Sequence, residues 1–420
     1  MVNPTRHPAV PLVGESIEVP AGSGSFAEFG VSDRVVEALA RRNINQTFAI
    51  QALVLADAIT GRDVLAKSRT GSGKTLAFAI PIVERLSPRG RPSALVLVPT
   101  RELASQVAGE FRGIADANGL RVAAVYGGVS IAEQLKAARG ADIVIATPGR
   151  LLDLLRRNLL RLNRVAICVL DEADRMLDMG FLPDVSVILS VLPEPRQTML
   201  FSATLDGEVG ELARAFTHDA LRVEADAPHA IDRGDVEHRF VPVTPAQKVD
   251  RLVEELQADR ELALVFVRTK RGADRLARHL KARGFGAQAL HGDMTQAARE
   301  RALARFASGQ ADVMAATDVA ARGLDLEHIS HVVNFDPPAD DKAYVHRVGR
   351  TARAGRKGTG VTFVTPDQQA DVAQMAKALE LHREFADAGL HGPPAQHRSE
   401  ARSHTGGRRV NGSSRRRRWA

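Results

Sequence analysis

Short apolar runs rich in Val, Ile, Leu and Ala recur along this chain, each separated from the next by a segment long enough for a helix. Between residues 62 and 204 the runs are Asp63-Val64-Leu65-Ala66, Ala94-Leu95-Val96-Leu97-Val98, Val122-Ala123-Ala124-Val125-Tyr126, Ile143-Val144-Ile145-Ala146, Ile167-Cys168-Val169-Leu170 and Thr198-Met199-Leu200-Phe201. Near-continuous apolar strands, unlike alternating ones, are buried on both faces, so the pattern predicts a parallel sheet with helices on each side. A turn-rich, charged stretch from Ala227 to Gly234 interrupts it. The pattern resumes at Leu262-Ala263-Leu264-Val265-Phe266-Val267, Gln288-Ala289-Leu290, Val313-Met314-Ala315-Ala316, His331-Val332-Val333-Asn334-Phe335 and Val361-Thr362-Phe363-Val364. The reading is α/β, with two tandem parallel-sheet domains and a ligand cleft between them. Expected boundaries are a flexible extension over 1–22, a first domain over 23–226, a linker over 227–236, a second domain over 237–388 and a disordered tail over 389–420. With 420 residues, 44% of them hydrophobic, the chain can fill two cores.

Charge is distributed unevenly. From Gly392 to Ala420 there are eight arginines and one acid, Glu400; removing them from the totals of 57 basic and 50 acidic residues leaves 49 of each. The net charge of +7 therefore belongs to the tail, which has almost nothing apolar and is expected to be disordered. Its arginines suit a phosphate-attracting arm, since clustered Arg is rewarded by counterion release; a solubilising end is the alternative. No apolar run approaches the roughly 20 residues that cross a bilayer, and Pro4, Pro8 and Pro11 break up the N-terminus where a signal peptide needs an apolar helix. A single cysteine, Cys168, lies inside an apolar run and reads as core packing in a reducing compartment. The 13 histidines show no metal-ligand spacing with Cys or Glu, so no zinc site is expected. The expected location is cytoplasmic, with no membrane contact.

The polar signatures fall directly after strand runs, where ligands sit in open α/β sheets. After the first strand comes Ala66-Lys67-Ser68-Arg69-Thr70-Gly71-Ser72-Gly73-Lys74-Thr75, leading into the helical stretch from Leu76. Glycines let backbone N–H groups curl around phosphate oxygens, Lys74 reaches the β and γ phosphates, and the Thr75 hydroxyl can ligate Mg²⁺. Ser68 stands where the strict phosphate-loop pattern has glycine. A chance Gly-rich turn is the bland alternative, disfavoured by the strand before and the helix after. Beyond the strand ending at Leu170 come Asp171 and Glu172, a spacing that puts one carboxylate near Mg²⁺ and the next within reach of an attacking water. Alone, such a pair reads as a solvated turn. The phosphate loop upstream reverses that.

Asp171-Glu172-Ala173-Asp174, Ser202-Ala203-Thr204 and the phosphate loop together resemble the DEAD-box RNA helicases. Further matches extend the resemblance from about Phe26 to about Phe363, in order and spacing. They include the runs from Pro99 to Ala104, Gly127-Gly128, Thr147 to Arg150, Gln296 to Arg299, Ala316 to Asp325 and His346 to Arg353. Within the family the chain looks most like the bacterial RhlE-type branch. The resemblance implies two RecA-like domains, ATP and Mg²⁺ as cofactors, and RNA as partner. It implies that Gln51 reads adenine, that Phe26 stacks on the base, and that Ser68, Thr70, Gly71, Ser72, Gly73, Lys74, Thr75, Gly323 and Asp325 complete the nucleotide site, Asp325 on the ribose. Asn43, Thr47 and Phe48 depart from the usual Gly, Pro and Thr or Ser, and the hydroxyl lost at Phe48 bears on adenine specificity. Asp171 would hold Mg²⁺ through water, Glu172 would act on the attacking water, and Arg347 and Arg350, three apart, would face the phosphates from the second domain. Asp174, Ser202, Thr204 and His346 would couple hydrolysis to domain motion.

By the same resemblance, RNA contacts fall on Pro99, Thr100, Arg101, Gly128, Thr147 and Arg150 in the first domain, and on Gly292, Gln296, Arg299 and Thr317 in the second. Small hydroxyls, glycine N–H groups and arginines suit phosphates and 2′-hydroxyls, not base edges, so binding is expected to ignore sequence. Only 4% of residues are aromatic, which argues against a base-stacking platform. The expected activity is ATP-driven, local unwinding or remodelling of RNA and RNA–protein complexes by a monomer, with ribosomal or RNA-decay complexes as partners. An ATP-gated RNA clamp and a DNA helicase are the competing readings; Asp174, where many DNA-acting relatives have His, speaks against the second.

Overall fold

The computed structural model describes residues 24–68, 72–89, 91–224, 236–257, 260–321, 328–352 and 356–391. The extension over 1–22, all of the expected linker before Val236, and the tail from Gly392 lie outside them, as do Thr70, Gly71, Gly323, Asp325 and Arg353.

The first domain is built on seven strands, β1 (Val64–Lys67), β2 (Ala94–Leu97), β3 (Val122–Val125), β4 (Ile143–Ala146), β5 (Ile167–Asp171), β6 (Gln197–Ser202) and β7 (Leu221–Glu224). They lie in the order β3-β4-β2-β5-β6-β1-β7, and every pairing is parallel. Residues along one strand alternate between two cores, as the pleat requires. Ala94, Val96, Ile167 and Val169 pack on one face; Leu95, Leu97, Cys168 and Leu170 pack on the other. Helices α1 (Asp33–Ala40), α2 (Ala49–Thr60), α3 (Lys74–Arg85) and α4 (Arg101–Ala115) contribute to the first core. The second is covered by α5 (Ile131–Arg139), α6 (Pro148–Arg156), α7 (Ala173–Asp178), α8 (Leu182–Ser190) and α9 (Gly207–Phe216).

The second domain repeats the plan with β8 (Val236–Pro242), β9 (Leu262–Phe266), β10 (Ala287–Leu290), β11 (Val313–Ala316), β12 (Ile329–Asn334) and β13 (Gly358–Val364), in the order β10-β11-β9-β12-β13-β8 and again all parallel. Its helices are α10 (Lys248–Gln257), α11 (Lys270–Ala282), α12 (Gln296–Ala307), α13 (Asp318–Ala321), α14 (Asp341–Val348), α15 (Gln369–Ala378) and α16 (His382–Asp387). The sheet again separates two cores, α11 packing on one face and α12 on the other.

Two strands escape the apolar-run criterion. β7 is a four-residue edge strand carrying Arg222 and Glu224, and β8 alternates buried and exposed residues because it too is an edge. No helix among the described residues is long and apolar enough to cross a membrane.

Because each strand is covered twice, Cys168 on the central strand β5 is fully buried, and burial pushes its thiol up to about 12. Native protein at pH 8 is expected to leave a thiol reagent unreacted and to label one thiol per chain on unfolding; rapid labelling of native protein would contradict the buried placement.

Candidate ATP and RNA site

Strand order decides which loops meet. β6 lies between β1 and β5, so the phosphate loop after β1, the acidic run after β5 and the Ser-Ala-Thr run after β6 leave neighbouring strands at the same carboxyl edge. Ser68 N–H donates to the Ser202 carbonyl at 2.9 Å, continuing the β1–β6 register into the loops.

The carboxylates are buried with their counter-charges. Lys74 opens α3, and its Nζ stands 3.7 Å from Asp171 Oδ1, with both side chains under 10% exposed. That distance is too long for a hydrogen bond, and Asp171 Oδ1 and Ser68 Oγ are buried atoms without a hydrogen-bond partner among the described residues. Desolvation raises the Asp171 carboxyl to about 6 against the opposing pull of Lys74. Glu172 adopts a left-handed backbone at φ 54 and ψ 52 and caps α7. Burial disfavours its charge, but Arg175, Lys74 and Arg350 together outweigh burial and hold its carboxyl low. Arg175 donates to Glu172 from one turn along. It was not anticipated from sequence, although the three-residue spacing after a helix-opening acid is a readable signal.

Around these groups the second domain closes. Arg350 follows the C-terminus of α14, donates to the His346 carbonyl at 3.2 Å, and lies near enough to lower the Glu172 pKa. Arg347 lines one small cavity with His346 and Arg350 and is held within its own domain. It is clamped by Asp318 through two bonds of 2.6 and 2.7 Å, donates to Asn334 Oδ1 and the Asp336 carbonyl, and covers the Phe266 ring at 4.9 Å. α14 ends at Val348, so residues 347 and 350 no longer share a helical face.

Ser202 Oγ accepts from Asp174 N–H at 3.1 Å and from Thr204 N–H at 3.4 Å, so Asp174 meets the Ser-Ala-Thr run through its backbone. Its charge faces His346 across the cleft; burial lowers the His346 pKa while Asp174 opposes that shift. Asp174, Leu177 and Thr204 line an interdomain cavity of about 360 Å³ together with Val345, His346 and Arg350.

At the base end, two expectations change. Phe26 is 1% exposed, folded under by its own short 3₁₀ turn into the first-domain core, and offers no ring face to a base. Gln51 is fully buried; its Oε1 accepts from Phe48 N–H and its Nε2 donates to the Gly73 carbonyl, both at 2.9 Å, which ties the segment to the phosphate loop. Phe48 is 59% exposed, and its ring rests against Gly73, where an added Cβ would come within 2.7 Å. Gly73 has a positive φ of 83°, so the loop needs glycine there on two counts.

The residues expected at RNA form two strips. In the first domain, Pro99, Thr100 and Arg101 follow β2, Gly128 follows β3, and Thr147 and Arg150 follow β4, three adjacent strands. Thr100 Oγ1 caps α4 by accepting from Leu103 N–H, and Arg150 is held by Gln134 and the Val129 carbonyl. Arg101 packs over Gly128, whose φ of +85° and crowding exclude a side chain. In the second domain, Gly292 follows β10 and Thr317 follows β11, again neighbours. Gln296, buried, donates to Glu300. Arg299 is a correction: its guanidinium is engaged by Glu102 of the first domain at 2.6 and 2.7 Å and by the His291 carbonyl, with both charged side chains under 10% exposed. In this structure it joins the domains.

Residues 48–212 match the DEAD/DEAH box helicase family and residues 247–355 the helicase conserved C-terminal domain. The chain is 41% identical over 359 residues to the DEAD-box ATP-dependent RNA helicase CshA of Bacillus subtilis, covering 85% of this chain and 72% of that one. The chain belongs to the DEAD-box ATP-dependent RNA helicases. The helicase of the same name from Geobacillus kaustophilus is 43% identical over 81% of this chain and 74% of its own. Among solved structures, S. cerevisiae Dbp5 bound to RNA and ADP BeF3 superposes with a TM-score of 0.78 at 30% identity, over 85% of this helicase and 94% of that chain. Mss116p bound to ssRNA and AMP-PNP superposes with a TM-score of 0.77 at 28% identity, over 88% and 80%.

Glu102→Gln is expected to leave Arg299 buried and uncompensated, weakening the closed arrangement by about 3 kcal/mol. Single-molecule energy transfer between a label on each domain reads this as a shift toward the open pair; an unchanged distribution would show that the ion pair does not hold the domains together.

Proposed function

We propose that this helicase works as a clamp whose catalytic site is complete only when its two domains meet. The observation that carries the reading is the position of Arg350: a second-domain guanidinium acts on Glu172, which stands beside the phosphate loop of the first. Lys74 draws in the β and γ phosphates, and Glu172, kept ionised by Arg175 and Lys74, accepts the proton of the attacking water. Arg350 stabilises charge on the transferring phosphoryl group. The residues suit a divalent cation: Asp171, whose Oδ1 has no hydrogen-bond partner among the described residues, would hold it through an intervening water, and the Thr75 hydroxyl would ligate it. Bound, Mg²⁺ would screen the phosphate charges and polarise the γ-phosphoryl group. Asp174, Ser202, Thr204 and His346 sense the contact between domains, because the first three leave one domain's strands and the fourth leaves the other's helix. Gly323 and Asp325 belong to the same proposed nucleotide site.

RNA lies along both strips, held through phosphates and 2′-hydroxyls by Arg101, Arg150, Thr147 and Thr317 and by the exposed backbone of Gly128 and Gly292. The closed strips accept a single strand and not a duplex, which turns ATP-driven closure into local strand separation. Monomeric action in the cytoplasm on ribosomal or RNA-decay complexes belongs to this proposal, and placement in the RhlE-type branch rests on the motif run alone.

ATPase activity with and without RNA tests the site. RNA is expected to stimulate turnover in the parent, and Lys74→Ala and Glu172→Gln are each expected to reduce kcat at least a hundredfold, the general-base contribution being roughly 10² to 10⁴; persistent turnover in Glu172→Gln would refute its role. Removal of 392–420 is expected to weaken RNA binding and flatten its salt dependence while sparing saturated turnover, and an unchanged salt slope would leave the tail a solubilising end.

A further inference from the structure

Helix α11 and the residue after it carry six basic side chains, Lys270, Arg271, Arg275, Arg278, Lys281 and Arg283, against one acid, Asp274. In a chain whose first 391 residues balance in charge, this is a strong local excess. Lys270 is neutralised by Asp293, Arg283 by Asp250 at 2.8 Å, and Asp274 is occupied by His291 at 2.9 Å. Arg271, Arg275, Arg278 and Lys281 are left with no ion pair or hydrogen bond from their side chains among the described residues.

The helix buries Ala273, Leu276, Ala277 and Leu280 against the sheet. Arg271, Arg275 and Arg278 recur at i, i+4 and i+7 on the opposite side, exposed, as a single row about 10 Å long. Some other exposed arginines are met within one turn by a carboxylate, as Arg41 is by Glu37, Arg157 by Asp153 and Arg251 by Glu254. Here like charges stand one turn apart, which destabilises an isolated helix. Such a row adds nothing to the helix's own stability and leaves three guanidinium groups open to a polyanion.

Its position says from what. The row begins next to Lys270, whose side chain lies against Gly292, within 3.6 Å of where a Cβ would stand. Gly292 is on the second-domain RNA strip. The row therefore runs from the edge of that strip along the outside of the domain.

We propose that Arg271, Arg275 and Arg278 bind the sugar–phosphate backbone of RNA flanking the segment gripped between the domains. The proposal rests on the RNA-clamp reading above. Guanidinium forks on an exposed helix match phosphate oxygens and read no bases, so this surface adds grip and orientation without sequence preference. An acidic protein is the other polyanion such a row could meet, and continuity with the RNA strip favours RNA.

The test uses the full chain and the triple variant Arg271→Ala, Arg275→Ala, Arg278→Ala, whose exposed, helix-favouring replacements keep α11 folded. Affinity is measured against salt for a single strand just long enough to cross both domains and for the same strand flanked by a duplex. The short strand is expected to bind and stimulate ATPase activity as in the parent. The flanked RNA is expected to bind about tenfold more weakly at 0.1 M salt, with a log–log salt slope shallower by about 2, as loss of three phosphate contacts requires. An unchanged slope on the flanked RNA overturns the proposal, as does an equal loss on both RNAs, which would place the row in the core grip. Unchanged RNA binding with lost retention on polyglutamate would give the row to an acidic protein and overturn it too. A parent whose turnover RNA does not stimulate would instead overturn the underlying clamp reading, and this one with it.

Discussion

Burying a carboxylate without enough partners is the constraint on which the rest of this molecule turns. Asp171 sits at the end of a strand covered on both faces, with Lys74 too far away to hydrogen-bond and Oδ1 without a hydrogen-bond partner among the described residues. Its neighbour Glu172 is ionised only because Arg175, Lys74 and Arg350 surround it. Apolar strands on both sides lower the local dielectric, which makes each of these charges expensive alone and responsive to a newcomer. A site made this way responds strongly to any new charge, and it draws part of its compensation from another domain. Chemistry and domain closure are thereby joined through electrostatics.

The same economy operates between the RNA strips. Glu102 and Arg299 are each nearly buried and each would be costly unpaired, so the contact that joins the two domains also masks two charges. The pair lies among the groups assigned to RNA, next to Arg101 and Gln296. One ion pair thus both joins the two domains and hides two charges.

Much of this was legible in the sequence, and the failures have physical causes. Strands β1 to β6 and β9 to β13 announced themselves as apolar runs, the inner ones because burial on two faces leaves little room for polar residues and the edges β3 and β10 because their few residues are mostly Ala, Val and Leu. The edge strands β7 and β8 did not, because an edge faces water on one side and takes up Arg222, Glu224 or alternating polar residues. The phosphate loop and acidic run were visible as local motifs. The resemblance places Arg299 at RNA, and its pairing with Glu102, 197 residues away in sequence, is beyond any spacing argument. Arg347 and Arg350 share a spacing that would align them on a continuing helix, but the helix stops between them at Val348. Phe26 was read as a stacking ring, whereas its 3₁₀ turn makes it a core residue.

The fate of Arg347 has a consequence for how genetic damage in this chain is interpreted. Its guanidinium satisfies the Asp318 carboxylate, the Asn334 side chain and the Asp336 carbonyl at once. Losing it orphans acceptors from two separate segments of the second domain, at Asp318 and at the end of β12, while Arg350 lines the cleft. A substitution at Arg347 therefore damages the second domain's own architecture, a lesion that chaperones or low temperature could mask in a growth assay, whatever else it does.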